Sequence, residues 1–334
     1  MQLISLRGYA HASLVAGEQF TLAQLLEVLL IHSANDAANV LAEKVAGSIP
    51  AFADMMNQKA LDLGCLNTHF INPSGIHDDN HYSTAFDLSI IGNYAMKNEI
   101  FRQYVSKISC SLPATAQYPN EDRLFTTTNS LLLTESPYYY SYAIGAKTGF
   151  TTPAQNCLVA VSNHNGTEYL SVILGAVQLD DGTSQRYQDT IHLLEYASSH
   201  YELRQIKNAN DVVTEVTLPN TKQSLTLLAS EGIIALDKIQ NLGNNIEPEI
   251  TLNENLSAPI YAGNIVGKAT YTVDGTKYEI DLVAANDVVF DSTFSFVLKV
   301  GMLIILLLLI YFLLFPPSKK SSLENKVFKI THLN

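Results

Sequence analysis

The stretch of residues 142–200 constrains the fold most strongly, because three strand-like runs are followed there by a helical pattern. Asn165-Gly166, between the second and third runs, is a residue pair typical of a tight hairpin turn. Gln185–His200 then carries apolar residues at helical spacing. This order predicts an antiparallel sheet followed by an amphipathic helix. The three runs are Tyr142–Phe150, Cys157–Val161 and Tyr169–Val177.

The beginning of the chain has helical periodicity instead. Thr21 can cap a helix in which leucines recur at positions i, i+3, i+4, i+7 and i+8. Asp36 is predicted to cap a second helix, over residues 37–45. Ser33 and Asn35 are therefore predicted to lie on a short loop between two packed helices. From these residues alone, helix capping explains both side chains as well as a chemical role does.

A cationic strip, Lys147-Thr148-Gly149, lies inside the first strand-like run. Lys147 supplies a positive charge and Thr148 a hydroxyl donor. Gly149 has no side chain, so that the backbone of a ligand can lie flat against the strand. These residue types favour the binding of an anion. Taken alone, the tripeptide is equally well explained as a strand that ends in a turn.

Ser33-Ala34-Asn35 followed by Lys147-Thr148-Gly149 matches two of the three motifs of the active-site serine penicillin-recognising enzymes. Other segments agree with one family in order and spacing. Over residues 1–290 the chain resembles the low-molecular-mass penicillin-binding proteins that are D-alanyl-D-alanine carboxypeptidases, the serine peptidases of family S11. The longer matching segments are His32–Ala38, Asn72–Ile76, His81–Leu88 and Gly145–Thr151.

The resemblance implies a fold and an activity. The fold is α+β, with a penicillin-binding-protein or β-lactamase-like domain in residues 1–203, in which helices flank an antiparallel sheet. The activity is removal of the terminal D-Ala from peptidoglycan stem peptides through an acyl-enzyme. It uses no cofactor and no metal, and β-lactams inhibit it once a nucleophile is in place.

The resemblance also implies roles for single residues. Ser33 passes protons between the nucleophile and the leaving amine, Asn35 holds the substrate amide, and Lys147 stabilises negative charge. These three are the predicted catalytic residues. Arg186 is a second candidate for the substrate carboxylate, although a surface arginine explains it equally well. The predicted substrate-binding residues are Thr148, Gly149, Phe150 (through its backbone N–H, as half of an oxyanion hole) and Arg186.

One motif of the family is absent. No serine in the sequence has a lysine three residues later, so the Ser-x-x-Lys nucleophile is missing. In the family this motif lies several tens of residues before the Ser-x-Asn motif, whereas Ser33 is close to Met1. We therefore expect the N-terminus to be incomplete and the chain to be inactive as it stands. The alternative is a catalytically dead paralogue.

Short β-like runs between residues 204 and 290 predict a small all-β domain. Asp274-Gly275 between two of the runs predicts a hairpin turn. The family has a β-rich second domain at this place, which acts as a spacer or a platform for partners. The runs are Val212–Leu218, Leu225–Leu228, Ile250–Leu252, Ile265–Val273 and Tyr278–Val283.

The segment Phe294–Phe315 carries a single charge, on Lys299, and it is long enough to span a bilayer. A buried core helix is the alternative. Lysines follow the segment and acidic residues precede it. The positive-inside rule then predicts a cytoplasmic basic tail, residues 316–334, and both domains outside the bacterial cell membrane.

The charge distribution excludes one class of partner. The net charge is −12, and the last 36 residues carry +4, which leaves −16 for residues 1–298. Such an acidic body argues against binding to nucleic acid. The segment His77–His81 contains two histidines and two aspartates, but their spacing fits a solvated loop better than a metal site.

Three functions remain open from the sequence. The first is a membrane-tethered D-Ala-D-Ala carboxypeptidase, and the second is a pseudoenzyme that binds peptidoglycan stem peptides or partners. The third is a β-lactam hydrolase. We place the hydrolase last, because such an enzyme would not need the predicted β-rich domain and membrane tail.

Overall fold

The chain divides into two compact units in the computed structural model, which describes residues 9–119, 121–219, 221–290 and 292–314. The first unit consists of Met1–Leu203 together with Lys238–Leu242. The second consists of Arg204–Asp237 and Gly243–Asn334.

Helices make up most of the first half of the first unit. The predicted cap of the first helix is confirmed, because Thr21 and Gln24 form a reciprocal capping box at its start. Ser48 caps the third helix by accepting a hydrogen bond from the Ala51 N–H. The helices are α1 (Leu22–His32), α2 (Asn35–Ala46), α3 (Ile49–Asp62), α4 (Ala85–Met96), α5 (Glu99–Val105) and α6 (Gln185–His200).

Two antiparallel sheets accompany these helices. A small hairpin, β1 (Ser109–Leu112) with β2 (Arg123–Thr126), precedes a short 3-10 turn. The main sheet has the order β3-β4-β5, and it confirms the predicted antiparallel sheet followed by a helix. Its strands are β3 (Ala143–Thr151), β4 (Gln155–His164) and β5 (Thr167–Ala176).

Helices cover both faces of the main sheet. Side chains alternate between these faces along each strand, so each face contributes its own set of contacts. Leu158 and Ala160 of β4 pack against Leu194 of α6. Val161 shares a second cluster with Met96 and Val105 from α4 and α5. This arrangement confirms the α+β domain in which helices flank an antiparallel sheet.

Asp36 has a different role from the one predicted. The N-cap of α2 is Ala34, which makes no side-chain cap. The carboxylate of Asp36 instead accepts hydrogen bonds from the backbone N–H groups of Ala12, Leu14 and Ala37, at 2.9–3.1 Å. Two of these donors belong to the extended segment before α1, so Asp36 ties that segment to the start of α2.

The second unit is built from β-strands, as the sequence predicted. A five-stranded sheet has the order β10-β11-β12-β8-β7, and the predicted turn at Asp274-Gly275 joins β11 to β12. The sequence did not predict β6 and β9, which pair with each other. The strands from residue 201 onward are β6 (Tyr201–Lys207), β7 (Val212–Thr217), β8 (Ser224–Ala229), β9 (Ile233–Lys238), β10 (Glu249–Leu252), β11 (Ile265–Val273) and β12 (Thr276–Ala284).

The last described element is helix α7 (Ser292–Leu314). Within the described ranges, no helix has both the length and the apolar character that a membrane crossing needs. The predicted span at Phe294–Phe315 is therefore not confirmed. Phe315 and the predicted basic tail, residues 316–334, lie outside the described residues.

Candidate active site

Lys147 and Ser33 meet although they are 114 residues apart. The Nζ of Lys147, on β3, donates a hydrogen bond of 2.8 Å to the Oγ of Ser33, at the end of α1. The same Nζ donates to the carbonyl of Thr148 at 3.0 Å. The two motifs that the sequence singled out therefore form one polar site between the helices and the edge of the sheet.

The position of Ser33 follows from the way α1 ends. Ser33 has a φ of 68°, in the left-handed region, and its N–H donates to the Leu29 carbonyl at 3.0 Å. A residue in this conformation terminates a helix. The next residue, Ala34, is completely buried. The buried alanine fixes the connection, which holds the Ser33 hydroxyl in place beside the sheet.

The sequence predicted that Asn35 lies on a loop, but in the structure it is the first residue of α2. Its N–H donates to the Ala10 carbonyl at 3.0 Å, and only 7% of its surface is exposed. The connection between α1 and α2 is thus shorter than expected. Asn35 gains rigidity from the helix and lies two residues from Ser33.

The charge of Lys147 is easier to remove than that of an ordinary lysine. Burial, together with the nearby positive charge of Arg186, lowers the pKa of Lys147 from 10.5 to about 8. Below about pH 8 the site therefore holds two positive charges. Such a site favours an anionic ligand, since a negative charge would relieve the repulsion between them.

Strand β3 offers an open edge next to Lys147. In the main sheet β3 pairs only with β4, as far as the described residues show. The unpaired backbone groups of an edge strand can bind an extended peptide. Gly149 and Phe150 are both exposed on this strand. A Cβ atom at Gly149 would meet only the Cβ of Cys157, at 3.7 Å, so the packing of the protein itself leaves that surface clear.

Thr148 and Lys147 project to opposite faces of the sheet, since they are consecutive on the strand. Thr148 is directly opposite Leu158, on the face covered by α6, whereas Lys147 is opposite Val159. The Thr148 hydroxyl makes a short hydrogen bond with the Thr128 hydroxyl. Thr148 is thereby held at the α6 side of the strip.

Arg186 lies beside the same strip, at the start of α6. One of its terminal nitrogens is 3.5 Å from the Gly149 carbonyl, and the other donates to the Tyr187 hydroxyl at 3.2 Å. Its buried Nε has no hydrogen-bond partner within the described residues, and no carboxylate there pairs with it. Within the described residues, no carboxylate therefore neutralises the charge of Arg186.

Two residues that support the site, Thr128 and Tyr187, were not predicted from the sequence. Thr128 lies in the irregular stretch before the sheet, and Tyr187 was counted only among the residues of a helix. Both act through contacts with residues distant in sequence, which local patterns do not reveal. Their hydrogen bonds connect Thr148 to Arg186.

Comparison with known proteins assigns the family. The sequence profile of the D-alanyl-D-alanine carboxypeptidases, peptidase family S11, matches residues 4–178, which is more than half of the chain. The profile of the C-terminal domain of penicillin-binding protein 5 matches residues 201–289. The chain therefore belongs to the S11 D-alanyl-D-alanine carboxypeptidases, a family of peptidases.

Named relatives agree with this assignment. The chain is 31% identical to the D-alanyl-D-alanine carboxypeptidase DacF of Bacillus subtilis, over 87% of this chain and 72% of that protein. It is 29% identical to DacC of Escherichia coli, over 82% of this chain and 65% of that protein. The match therefore spans about two thirds to three quarters of the length of these relatives.

Solved structures show the same architecture. The crystal structure of the carboxypeptidase DacD from Francisella tularensis has a TM-score of 0.64 at 27% identity, covering 85% of this chain and 79% of that one. Penicillin-binding protein 5 from Haemophilus influenzae has a TM-score of 0.65 at 26% identity, covering 84% of this chain and 78% of that one. These matches confirm the penicillin-binding-protein-like α+β domain followed by a β domain.

Proposed function

We propose that this chain carries the substrate-recognition half of a serine-type D-Ala-D-Ala carboxypeptidase site. Its ligand is the D-Ala-D-Ala end of a peptidoglycan stem peptide. The observation that carries the proposal is the 2.8 Å hydrogen bond from Lys147 to Ser33, which unites the two motifs. A short peptide with a terminal carboxylate also needs a positive charge and a strand edge to bind. Arg186 provides the charge, and β3 provides the edge.

Each residue then has a defined task. The stem peptide pairs with the edge of β3, and its carboxylate binds Thr148 and Arg186 through charge-assisted hydrogen bonds. A nucleophilic serine attacks the penultimate D-Ala carbonyl, and Ser33 relays the proton from that serine to the departing D-Ala amine. Lys147 stabilises the negative charge that develops during the attack. Water hydrolyses the acyl-enzyme.

Asn35 and Phe150 complete the assignment. Asn35 orients the substrate amide from the start of α2, where its backbone is held by Ala10. The backbone N–H of Phe150 supplies half of an oxyanion hole. The other half comes from the nucleophilic serine. Losing one such donor lowers turnover by about 10²–10³-fold.

The missing Ser-x-x-Lys motif sets the limit on catalysis. Without it, the 334 residues hold no nucleophile of the family type. We propose that the chain as it stands binds the ligand but does not hydrolyse it. The second candidate function, a stem-peptide-binding pseudoenzyme, is favoured by this same absence. Because stem peptides lie outside the cytoplasm, we place the site at the outer side of the bacterial cell membrane.

Labelling with penicillin tests the proposal. The chain as it stands should show no covalent, heat-stable adduct with a fluorescent penicillin. A chimera that carries the signal peptide and Ser-x-x-Lys segment of a family member in front of this chain should be labelled. A membrane-impermeant fluorescent penicillin should label that chimera on intact cells. A chimera that folds but is never labelled would overturn the proposed function, and an adduct on the unmodified chain would overturn its proposed inactivity.

A further inference from the structure

We propose that Tyr187 is a positioning residue that holds the two carboxylate-binding groups, Arg186 and Thr148, in one geometry. The inference rests on the proposed function, because it concerns how that site recognises the terminal carboxylate of its ligand. It assigns a role in specificity to Tyr187 and to Thr128, which neither the motifs nor the roles above include.

The hydroxyl of Tyr187 uses all of its hydrogen-bonding capacity within the site. It donates to the Thr128 carbonyl at 3.0 Å and accepts from the Ser130 N–H at 3.2 Å. It also accepts from the terminal nitrogen of Arg186 at 3.2 Å. A tyrosine hydroxyl has one donor and can accept two hydrogen bonds, so each of these positions is filled. The hydroxyl thus fixes Arg186 relative to the segment that contains Thr128.

The ring of Tyr187 gives this connection a rigid base. Only 3% of the residue is exposed, and its ring stacks on Tyr138 with a centroid distance of 5.0 Å. The guanidinium carbon of Arg186 lies 4.7 Å from the centre of the Tyr187 ring, a cation–π distance. Tyr138 is itself fixed, because its hydroxyl accepts a 2.7 Å hydrogen bond from the Ser184 N–H, just before α6.

Thr128 carries the same constraint to the strand. Its carbonyl accepts the hydrogen bond from Tyr187, and its hydroxyl shares a hydrogen bond with the Thr148 hydroxyl. Its N–H faces the Ile31 carbonyl of α1 at 3.3 Å, two residues before Ser33. Arg186 and Thr148 therefore cannot move independently. A ligand carboxylate meets both groups at a preset separation, which favours binding by reducing the ordering cost.

The acid and the C-terminal amide of the same dipeptide test this role. The probes are Nα-acetyl-D-Ala-D-Ala and Nα-acetyl-D-Ala-D-Ala-amide, titrated by NMR against the whole chain at pH 7. We expect the parent chain to prefer the acid. Tyr187→Phe keeps the ring but removes the hydroxyl, and it should weaken binding of the acid by about tenfold, which corresponds to about one hydrogen bond. Binding of the amide should hardly change.

Two further variants separate positioning from folding. Tyr169→Phe is the matched control, because Tyr169 is a buried tyrosine of the same unit whose hydroxyl bonds to the Tyr201 carbonyl and the Thr167 side chain, neither of which belongs to the candidate site. It should leave the preference for the acid unchanged. Thr128→Val removes the hydroxyl that holds Thr148, and it should also reduce the preference even if Tyr187→Phe does not fold.

The possible results distinguish the two proposals. A parent chain that binds acid and amide equally overturns the proposed function together with this inference. A parent that prefers the acid, with folded Tyr187→Phe and Thr128→Val variants that prefer it just as strongly, overturns only the role of Tyr187. Loss of preference in both variants but not in Tyr169→Phe supports the inference.

Discussion

Replacing Lys147 by alanine in the chimera with a family member's Ser-x-x-Lys segment should lower the rate of acylation by penicillin about 10²–10³-fold. The reason is that the Nζ of Lys147 lies 2.8 Å from the Ser33 hydroxyl, where charge shifts during proton transfer. Because this interaction strengthens as the negative charge develops, the acylation rate should fall more than penicillin affinity. Stopped-flow measurement of adduct formation gives both quantities.

The control for this prediction is Lys207→Ala, since the Nζ of Lys207 donates to the Val212 carbonyl in the second unit and not to a residue of the candidate site. Its acylation rate should equal that of the parent chimera. The pH profile adds a second check. With the pKa of Lys147 lowered to about 8, its charge is present below that pH and lost above it, so acylation should fall as the pH rises through 8. A profile that stays flat to pH 10, or a Lys147→Ala variant that acylates at the parent rate, contradicts the role.

Replacing Glu18 by alanine should destabilise the first unit by about 3–5 kcal/mol, the typical cost of breaking a buried ion pair. The side chains of Arg123 and Glu18 are only 6% and 2% exposed. The carboxylate accepts hydrogen bonds from both terminal nitrogens of Arg123, at 2.7 and 3.2 Å, and from the Val15 N–H at 2.7 Å. Its removal leaves the guanidinium buried without a countercharge. Hydrogen exchange of the buried strands in the first unit measures the loss.

Two variants and the pH dependence control this prediction. Glu168→Ala breaks the more exposed pair with Arg102, and should cost only about 0.2–1 kcal/mol. The double variant Glu18→Leu with Arg123→Met leaves no unpaired charge, so it should be more stable than Glu18→Ala. A loss below 1 kcal/mol in Glu18→Ala would contradict the account.

The pH dependence has a definite sign. Burial acts to raise the pKa of Glu18, but hydrogen bonds from Arg123, Thr115 and Val15 outweigh it, and the net pKa lies below the usual 4.5. The ionised pair therefore stabilises the fold above about pH 4.5, and that stabilisation is lost as the pH falls further. Glu18→Ala should lack this acid-dependent component.

Local patterns in the sequence predicted most elements of the first unit. The sheet and helix α6 were identified because hydrophobic periodicity and the Asn165-Gly166 turn are local features. The cap of α1 at Thr21 was identified for the same reason. Asp36 was misinterpreted because its backbone partners, Ala12 and Leu14, come from another segment. An aspartate that caps a helix and an aspartate that anchors a distant segment cannot be distinguished from the local sequence.

In the candidate site, too, residues in local motifs could be predicted, whereas residues that act through long-range contacts could not. Ser33 and Lys147 could be identified because they belong to recognisable sequence motifs, although only the structure places them in contact. Thr128 and Tyr187 have no distinctive neighbours, and their importance arises from hydrogen bonds across many residues. Strand β6 was missed because it follows α6 without an intervening turn. No Gly or Pro marks the start of β6.

The stereochemistry of dipeptide binding tests the central claim most directly. The isotope-labelled chain is titrated with Nα-acetyl-D-Ala-D-Ala and, separately, with Nα-acetyl-L-Ala-L-Ala, and backbone NMR shifts are recorded. If the site recognises the ends of stem peptides, the D,D peptide alone should perturb the amides around Ser33, along β3 from Lys147 to Phe150, and at the start of α6. Equal perturbation by the L,L peptide, or D,D-specific shifts confined to other parts of the chain, would contradict the assignment.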